Sequence, residues 1–251
     1  TRMFNSAAMI SLDLQQSEED YIREIYKAYQ QIPLENIYMR IQITRGEGTI
    51  GLNMANAAKP NVIIYFRHLD KIDPEWYSTG VSIATTTRVR NSKKALDPNI
   101  KSGNYLNNVL AFMDAVKVKA IESIMVNSQG LITEGTTSNI FSVKHGVLIT
   151  PPVDFDILQG ITRKRVLEIA KSLKLPIREA GVTPAELENS DEVFLTSSTR
   201  EVLPVHWVNG KEVGSPGMGP ITKQLAAALK EFIREYCDQS KAKYDGLLQA
   251  N

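Results

Sequence analysis

The spacing of apolar and polar residues predicts a chain in which strands and helices are mixed. Residues 36–44 alternate between apolar and polar positions, as a half-buried strand does, and residues 61–66 and 77–86 also favour strands. Between residues 17 and 29 the spacing becomes helical, because the run from Ser17 to Asp20 provides a cap before an apolar stripe of Ile22, Ile25, Tyr26 and Tyr29. The first part of the chain therefore predicts a small α/β unit.

The remaining residues predict further helices and strands. Apolar residues recur at helical steps through residues 104–118, namely at Leu106, Leu110, Met113 and Val116. Short polar turns between apolar runs predict hairpins at residues 121–133 and 140–150. Capping residues, or a proline in the first turn, predict helix starts at Thr162, Thr183 and Gly219.

A basic segment that contains asparagine, residues 88–95, lies between these two parts of the chain. We interpret it as an interdomain loop, which gives a small α/β domain at residues 1–87 and a larger domain at residues 96–251. The succession of elements, without an internal repeat, predicts an α+β fold.

Composition narrows the functional classes. The chain has 251 residues, 43% of them hydrophobic, and a formal net charge of +1, so it does not indicate a nucleic-acid or membrane surface. Its single cysteine, Cys237, cannot form an internal disulfide, which suits a reducing cytoplasm. No apolar run is long enough to span a bilayer. His68, His145 and His206 lack triad partners, and no metal is expected because no Cys/His cluster has metal spacing.

Four segments carry the candidate chemistry. Lys101 lies in the run Ile-Lys-Ser-Gly-Asn-Tyr-Leu-Asn, Glu134 in Ile-Thr-Glu-Gly-Thr-Thr-Ser-Asn, and Gly160 in Gln-Gly-Ile-Thr; the fourth run is Leu-Thr-Ser-Ser-Thr at residues 195–199. A lysine amine can condense with an aldehyde and later move a proton. The helix predicted to start at Thr162, directly after Gly160 and Ile161, offers at its N-terminus unpaired N–H groups and a favourable dipole end that bind phosphate. Together the segments predict a pyridoxal-phosphate site.

In this order the four segments resemble the class IV aminotransferases, the fold type IV group that includes branched-chain aminotransferases, D-amino-acid aminotransferases and aminodeoxychorismate lyases. The resemblance implies that Lys101 binds the cofactor covalently and transfers the proton, and that Glu134 pairs with the pyridine nitrogen. It implies that Leu158 packs on the ring. The residues that it assigns to the phosphate are Arg2, Gly160, Ile161, Thr162, Ser197 and Ser198.

The resemblance also implies an architecture. A small α/β domain should precede a larger domain with a barrel-like sheet and flanking helices, and the protein should form a homodimer. In the family a block of strands with a glycine-rich turn and an active-site tyrosine precedes the arginine that Arg2 matches. This sequence does not contain that block, so we expect the small domain to be incomplete.

The substrate is predicted from two segments that point in different directions. Residues 46–52 resemble branched-chain aminotransferases and lack the arginine and histidine with which D-specific enzymes bind a carboxylate. Residues 196–201 are closer to the D-specific type. Arg200 could bind a substrate carboxylate or be a surface arginine; the other candidates for substrate binding are Arg40, Arg88 and Thr199.

We therefore expect transfer of an amino group from an apolar, branched-chain-type amino acid to 2-oxoglutarate. The alternatives are a D-amino-acid aminotransferase, an aminodeoxychorismate lyase and a chain that binds the cofactor without turnover.

Overall fold

A computed structural model describes residues 2–34, 36–57 and 59–249. Their contacts divide the chain into two compact units. One contains the described residues up to Lys71 together with those from Gln239, and the other contains Ile72–Asp238. This division does not fall at the predicted loop, residues 88–95, because the strand Val81–Val89 pairs with strands of the larger unit on both of its edges. Residues 72–87 thus lie with the large unit.

The smaller unit is built from two helices and a hairpin-like strand pair, together with a short 3₁₀ turn at Met54–Asn56. Its elements are α1 (Arg2–Met9), α2 (Glu18–Tyr29), β1 (Ile37–Thr44) and β2 (Asn61–His68). The strands are antiparallel along their whole length, from Ile37 opposite His68 to Thr44 opposite Asn61. The predicted cap of α2 is confirmed: Ser17 and Asp20 form a capping box.

The larger unit contains the other strands and helices. They are α3 (Glu75–Thr79), β3 (Val81–Val89), α4 (Leu106–Lys117), β4 (Glu122–Val126), β5 (Ile132–Gly135), β6 (Asn139–Lys144), β7 (Val147–Thr150), α5 (Ile161–Ser172), β8 (Ile177–Glu179), α6 (Pro184–Glu188), β9 (Glu192–Ser197), β10 (Glu201–Val208) and β11 (Lys211–Glu212). The last helix, α7 (Pro220–Gln249), belongs to this unit up to Asp238 and to the smaller unit from Gln239.

The large sheet has the strand order β5-β4-β3-β10-β9-β6-β7-β8, with β11 paired to β10. Only residues 136–138 join β5 to β6, although β5 is five strand spacings from β6 in that order. In a flat sheet those spacings would separate the strands by about 24 Å, whereas the four Cα steps from Gly135 to Asn139 reach at most about 14 Å. The sheet must therefore curl, which confirms the barrel-like sheet.

Hydrophobic packing holds the curled sheet on both faces. On one face Phe141 and Phe194 stack with ring centroids 5.0 Å apart, and they pack against residues of α5 and α7. The alternate positions Ile140 and Leu195 belong to a second cluster that joins most of the strands. Side chains at the carboxyl end of β5 and the start of β6 are consequently fixed relative to α5.

Local differences from the predicted elements have physical causes. The strand predicted at residues 77–86 starts later, because Asp73 accepts a hydrogen bond from the Glu75 amide at 2.9 Å and a short helix forms first. Thr162 does not cap α5, because the helix begins one residue earlier and its N-cap is Gly160. The predicted capping box at Thr183 is confirmed.

Candidate active site

Glu134 lies near the end of β5 with its carboxylate buried beside three donors. The residue is 5% exposed. Arg90 Nε donates to Oε1 at 3.0 Å, while Oε2 accepts from Asn139 Nδ2 at 3.2 Å and from the Leu158 amide at 3.0 Å. A carboxylate offers about four acceptor positions, so one position remains for a further N–H donor.

Burial and charge act on this carboxylate in opposite directions. Burial raises the pKa of Glu134 from 4.5 to about 7, and the charge of Arg90, the Leu158 amide and the charge of Lys101 hold the pKa below what burial alone would give. A positively charged group placed on the remaining acceptor position would lower the pKa further. The site therefore favours a cationic N–H partner.

A second layer of hydrogen bonds holds Arg90. Its Nη1 donates to Asn107 Oδ1 at 3.3 Å, and Asn107 Nδ2 donates to the Val89 carbonyl at 3.1 Å. Asn107 belongs to the first turn of α4, so the helix that follows the lysine segment also orients the arginine that faces Glu134.

Lys101 lies on the segment between β3 and α4 and is exposed to solvent. Its Nζ is 3.5 Å from the hydroxyl of Tyr105. The segment is joined to the loop before α5, because the Gln159 amide donates to Asn99 Oδ1 at 3.2 Å. The lysine amine thus lies near a phenol and close enough to Glu134 for its charge to affect the pKa of that carboxylate.

The N-terminus of α5 has the form of an anion site. Its N-cap, Gly160, supplies no side-chain acceptor, so the N–H groups of the first turn, from Ile161 onward, do not donate to a cap side chain. Such amides and the helix dipole favour a phosphate. Gly160 also passes close to a neighbouring strand: a Cβ at this position would lie 2.1 Å from Asn139 Oδ1.

The turn between β9 and β10 brings the serine pair and Arg200 together. Ser197 Oγ accepts from the Arg200 amide at 3.3 Å and from Nε at 3.4 Å, which leaves its O–H free to donate. Ser198 and Thr199 are exposed in this turn. The Arg200 guanidinium, however, is bound by the buried carboxylate of Glu122 at 3.0 Å and by Thr137 at 2.6 Å.

Glu122 is the shared partner of two turns. Besides Arg200 it accepts hydrogen bonds from the turn between β5 and β6, from the Thr136 amide at 2.9 Å, Thr137 Oγ1 at 3.0 Å and Ser138 Oγ at 3.1 Å. Because both charges of the pair are largely buried, with side chains 15% and 1% exposed, removal of one leaves the other uncompensated. We infer that Arg200 orders the site rather than binds a substrate carboxylate.

We expect Arg200→Ala to lower the free energy of unfolding by about 3 kcal/mol, because it leaves a buried carboxylate unpaired. Urea unfolding measures this loss. The matched control is Arg88→Ala, whose pair with Asp114 at 2.7 Å is partly exposed and should contribute less. Unchanged stability together with a higher KM for the amino donor would instead identify Arg200 as a substrate ligand.

The arrangement of these groups has counterparts among known proteins. The family model "Amino-transferase class IV" matches residues 1–208. The chain belongs to the class IV aminotransferases.

Relatives and solved structures agree on the family but differ in substrate. A putative branched-chain-amino-acid aminotransferase of Methanocaldococcus jannaschii is 34% identical over 92% of this chain and 79% of the relative. A D-alanine aminotransferase of Bacillus licheniformis is 36% identical over 92% of this chain and 80% of the relative. A solved branched-chain aminotransferase from T.th., complexed with N-(5'-phosphopyridoxyl)-L-glutamate, has a TM-score of 0.84 and 26% identity, covering 92% of this chain and 75% of that structure.

This aminotransferase therefore has the fold type IV architecture, and it is of the branched-chain or D-amino-acid type. Within the described residues no helix is both long and apolar enough to cross a membrane. The same part of the chain contains no group of metal-binding side chains.

Most of the residues predicted for the site lie in the large unit of this aminotransferase. The contacts above join Leu158 directly to Glu134, and Asn139 contacts both Glu134 and Gly160. Arg88 faces Asp114, whereas Arg2 and Arg40 lie in the smaller unit, on α1 and β1. Their roles remain predictions.

Several residues of this aminotransferase that bear on the site were not identified from sequence, among them Arg90, Tyr105 and Asn139. Tyr105 stands in the lysine motif, so its position four residues after Lys101 could have indicated it. Arg90 reaches Glu134 across 44 residues of sequence, and no local pattern indicates such a contact.

Proposed function

We propose that this aminotransferase uses pyridoxal phosphate to transfer the amino group of an apolar, branched-chain-type amino acid to 2-oxoglutarate. The observation that supports it most directly is the placement, in one unit, of the Lys101 amine, the buried Glu134 carboxylate and the uncapped first turn of α5. These groups match the aldehyde, the ring nitrogen and the phosphate of one cofactor.

The residues present fit this cofactor. One acceptor position of Glu134 remains for the pyridine N–H, and the three protein donors hold the carboxylate in a fixed orientation. At the other end, Gly160 leaves the first-turn amides of α5 without a side-chain cap, and Ser197 retains a hydroxyl hydrogen. When bound, pyridoxal phosphate supplies an electron sink for cleavage of bonds at the substrate α-carbon.

Each residue then has a definable task. The Lys101 amine would hold the cofactor and would also carry the proton that transamination moves, which its exposed position permits. Ionised Glu134 would keep the ring nitrogen of the cofactor protonated, and Arg90 favours that ionised form of the carboxylate. Tyr105 lies within reach of the lysine amine and can orient it.

The choice of substrate rests on less specific observations. The putative branched-chain relative and the solved branched-chain structure with a bound phosphopyridoxyl-glutamate support a branched-chain donor and a five-carbon dicarboxylate acceptor. The D-alanine aminotransferase relative, at 36% identity, supports D-amino-acid transamination as the second candidate.

A donor panel distinguishes these candidates. Purified protein is supplied with pyridoxal phosphate, 2-oxoglutarate and either the L or the D isomer of leucine, valine or alanine. We expect glutamate to form with L-leucine and L-valine and much less with D-alanine. Preference for D-alanine would favour the second candidate. In a separate reaction supplied with aminodeoxychorismate in place of the amino donors, release of pyruvate would indicate a lyase. Bound cofactor without product in any of these reactions would indicate a binding protein.

We also propose a cytoplasmic homodimer. The family resemblance supports a dimer, and α4 offers an exposed apolar face for a second copy, formed by Leu106, Val109, Met113 and Val116. Light scattering of the purified chain tests the oligomeric state.

A further inference from the structure

Asn139 occupies the point where the two ends of the candidate cofactor site meet. It is the first residue of β6, directly after the turn at residues 136–138, and is 6% exposed. Its Nδ2 donates to Glu134 Oε2 at 3.2 Å and to the Leu158 carbonyl at 2.9 Å. Both hydrogens of the amide are therefore donated in hydrogen bonds. Because Glu134 Oε2 and the Leu158 carbonyl are both acceptors, the amide must be oriented with Nδ2 facing them.

The oxygen of the same amide lies against Gly160. The backbone of Gly160, with φ −63° and ψ 140°, is open to any residue, so its conformation does not demand glycine. The obstacle to a side chain is Asn139 Oδ1, which a Cβ would approach to 2.1 Å. The next nearest side-chain atom outside Asn139 is Arg163 Cβ, at an ordinary 3.6 Å.

We propose that Asn139 is a positioning residue that fixes the Glu134 carboxylate relative to residues 158–160, which lead into α5. The proposal rests on the proposed function, in which Glu134 faces the ring nitrogen and α5 the phosphate. Because both groups bind one rigid molecule, the distance between them must match that molecule. A single amide that contacts Glu134, Leu158 and Gly160 sets this distance.

A double-mutant cycle tests the contact between Asn139 and Gly160. In the ligand-free chain we expect Gly160→Ala to lower the Tm by about 5 °C, because the new methyl group overlaps Oδ1. When Asn139→Ala is already present, the same change should lower the Tm by less than about 2 °C. Equal effects in both backgrounds would overturn the proposal.

Cofactor binding provides the second arm of this cycle. Titration with pyridoxal phosphate should show about tenfold weaker affinity for Gly160→Ala than for the wild type. When Asn139→Ala is already present, adding Gly160→Ala should weaken the affinity much less. If the wild-type chain binds no pyridoxal phosphate, the proposed function fails, whereas the Tm comparison still decides whether Asn139 and Gly160 are in contact.

The near-isosteric variant Asn139→Asp separates positioning from general stability. It replaces the donor facing Glu134 by a second carboxylate, so the pKa of Glu134 should rise and the pH range in which stability changes should move upward by about one unit. Asn127→Asp is the matched control, since Asn127 is also 6% exposed but hydrogen-bonds within the β4–β5 turn. A pH range unchanged by Asn139→Asp would contradict the proposal.

Discussion

Lys101→Ala should lower turnover by about 10³-fold or more, since positioned acid–base groups contribute about 10²–10⁴-fold and the same side chain is expected to hold the cofactor. The wild-type chain with pyridoxal phosphate should develop a visible absorption band that Lys101→Ala lacks. Borohydride should then fix the cofactor to the peptide that contains Lys101, which peptide mass spectrometry identifies.

The control for this experiment is Lys94→Ala. Lys94 is an exposed lysine on the same segment between β3 and α4, so its replacement changes the charge of the segment to the same extent. We expect turnover, absorption and labelling to match the wild type. Cofactor fixed to any lysine other than Lys101 would end the assignment.

Glu134→Gln should reduce turnover by about 10- to 100-fold, the equivalent of one charge-assisted hydrogen bond that strengthens as the reaction proceeds. The amide keeps the shape but cannot hold a proton on the ring nitrogen. Cofactor affinity, measured by titration, should fall much less than turnover. Unchanged turnover would mean that another group protonates the ring.

The same variant reveals the cost of burying Glu134 in the ligand-free chain. Because the folded pKa of about 7 exceeds the ordinary 4.5, the folded state holds the proton more tightly, so stability is fully present below pH 4.5 and is lost as the pH rises through 7. Relative to Glu134→Gln, the wild type should lose about 3 kcal/mol between these limits. Urea unfolding at several pH values measures the difference, and parallel pH profiles would contradict it.

The parts of the site that sequence could predict are those carried by short segments. The Lys101 and Glu134 runs and the glycine before α5 are local patterns with a chemical reason, and the curled sheet followed from the resemblance. Contacts across the sheet could not be predicted in the same way. Strand β3 belongs to the large unit because it pairs in parallel with β4 and β10, and no local pattern indicates that pairing. For that reason the boundary predicted from sequence lies near residue 88, whereas the contacts divide the chain after residue 71.

The ion-pair partner of Arg200 is another contact that could not be predicted from local sequence. The position of Arg200 in a polar turn allowed either a substrate ligand or a surface residue, because nothing nearby in sequence identifies its partner. Glu122 lies 78 residues away in sequence and is buried. Sequence also misplaced the cap of α5, since Thr162 is the better capping residue in isolation, and only the close approach of Asn139 explains the glycine at position 160.

Hydrogen bonds from two turns to the buried Glu122 carboxylate make one part of the site more rigid than the other. The turns at residues 136–138 and 198–200 are joined through one buried carboxylate, so neither can shift without the other. The Lys101 segment is held differently, by local backbone turns such as that from the Ser102 amide to the Ile100 carbonyl, and by the link from Asn99 to Gln159. We therefore expect the Lys101 segment to move when a substrate enters or leaves, while the turns at residues 136–138 and 198–200 stay in place.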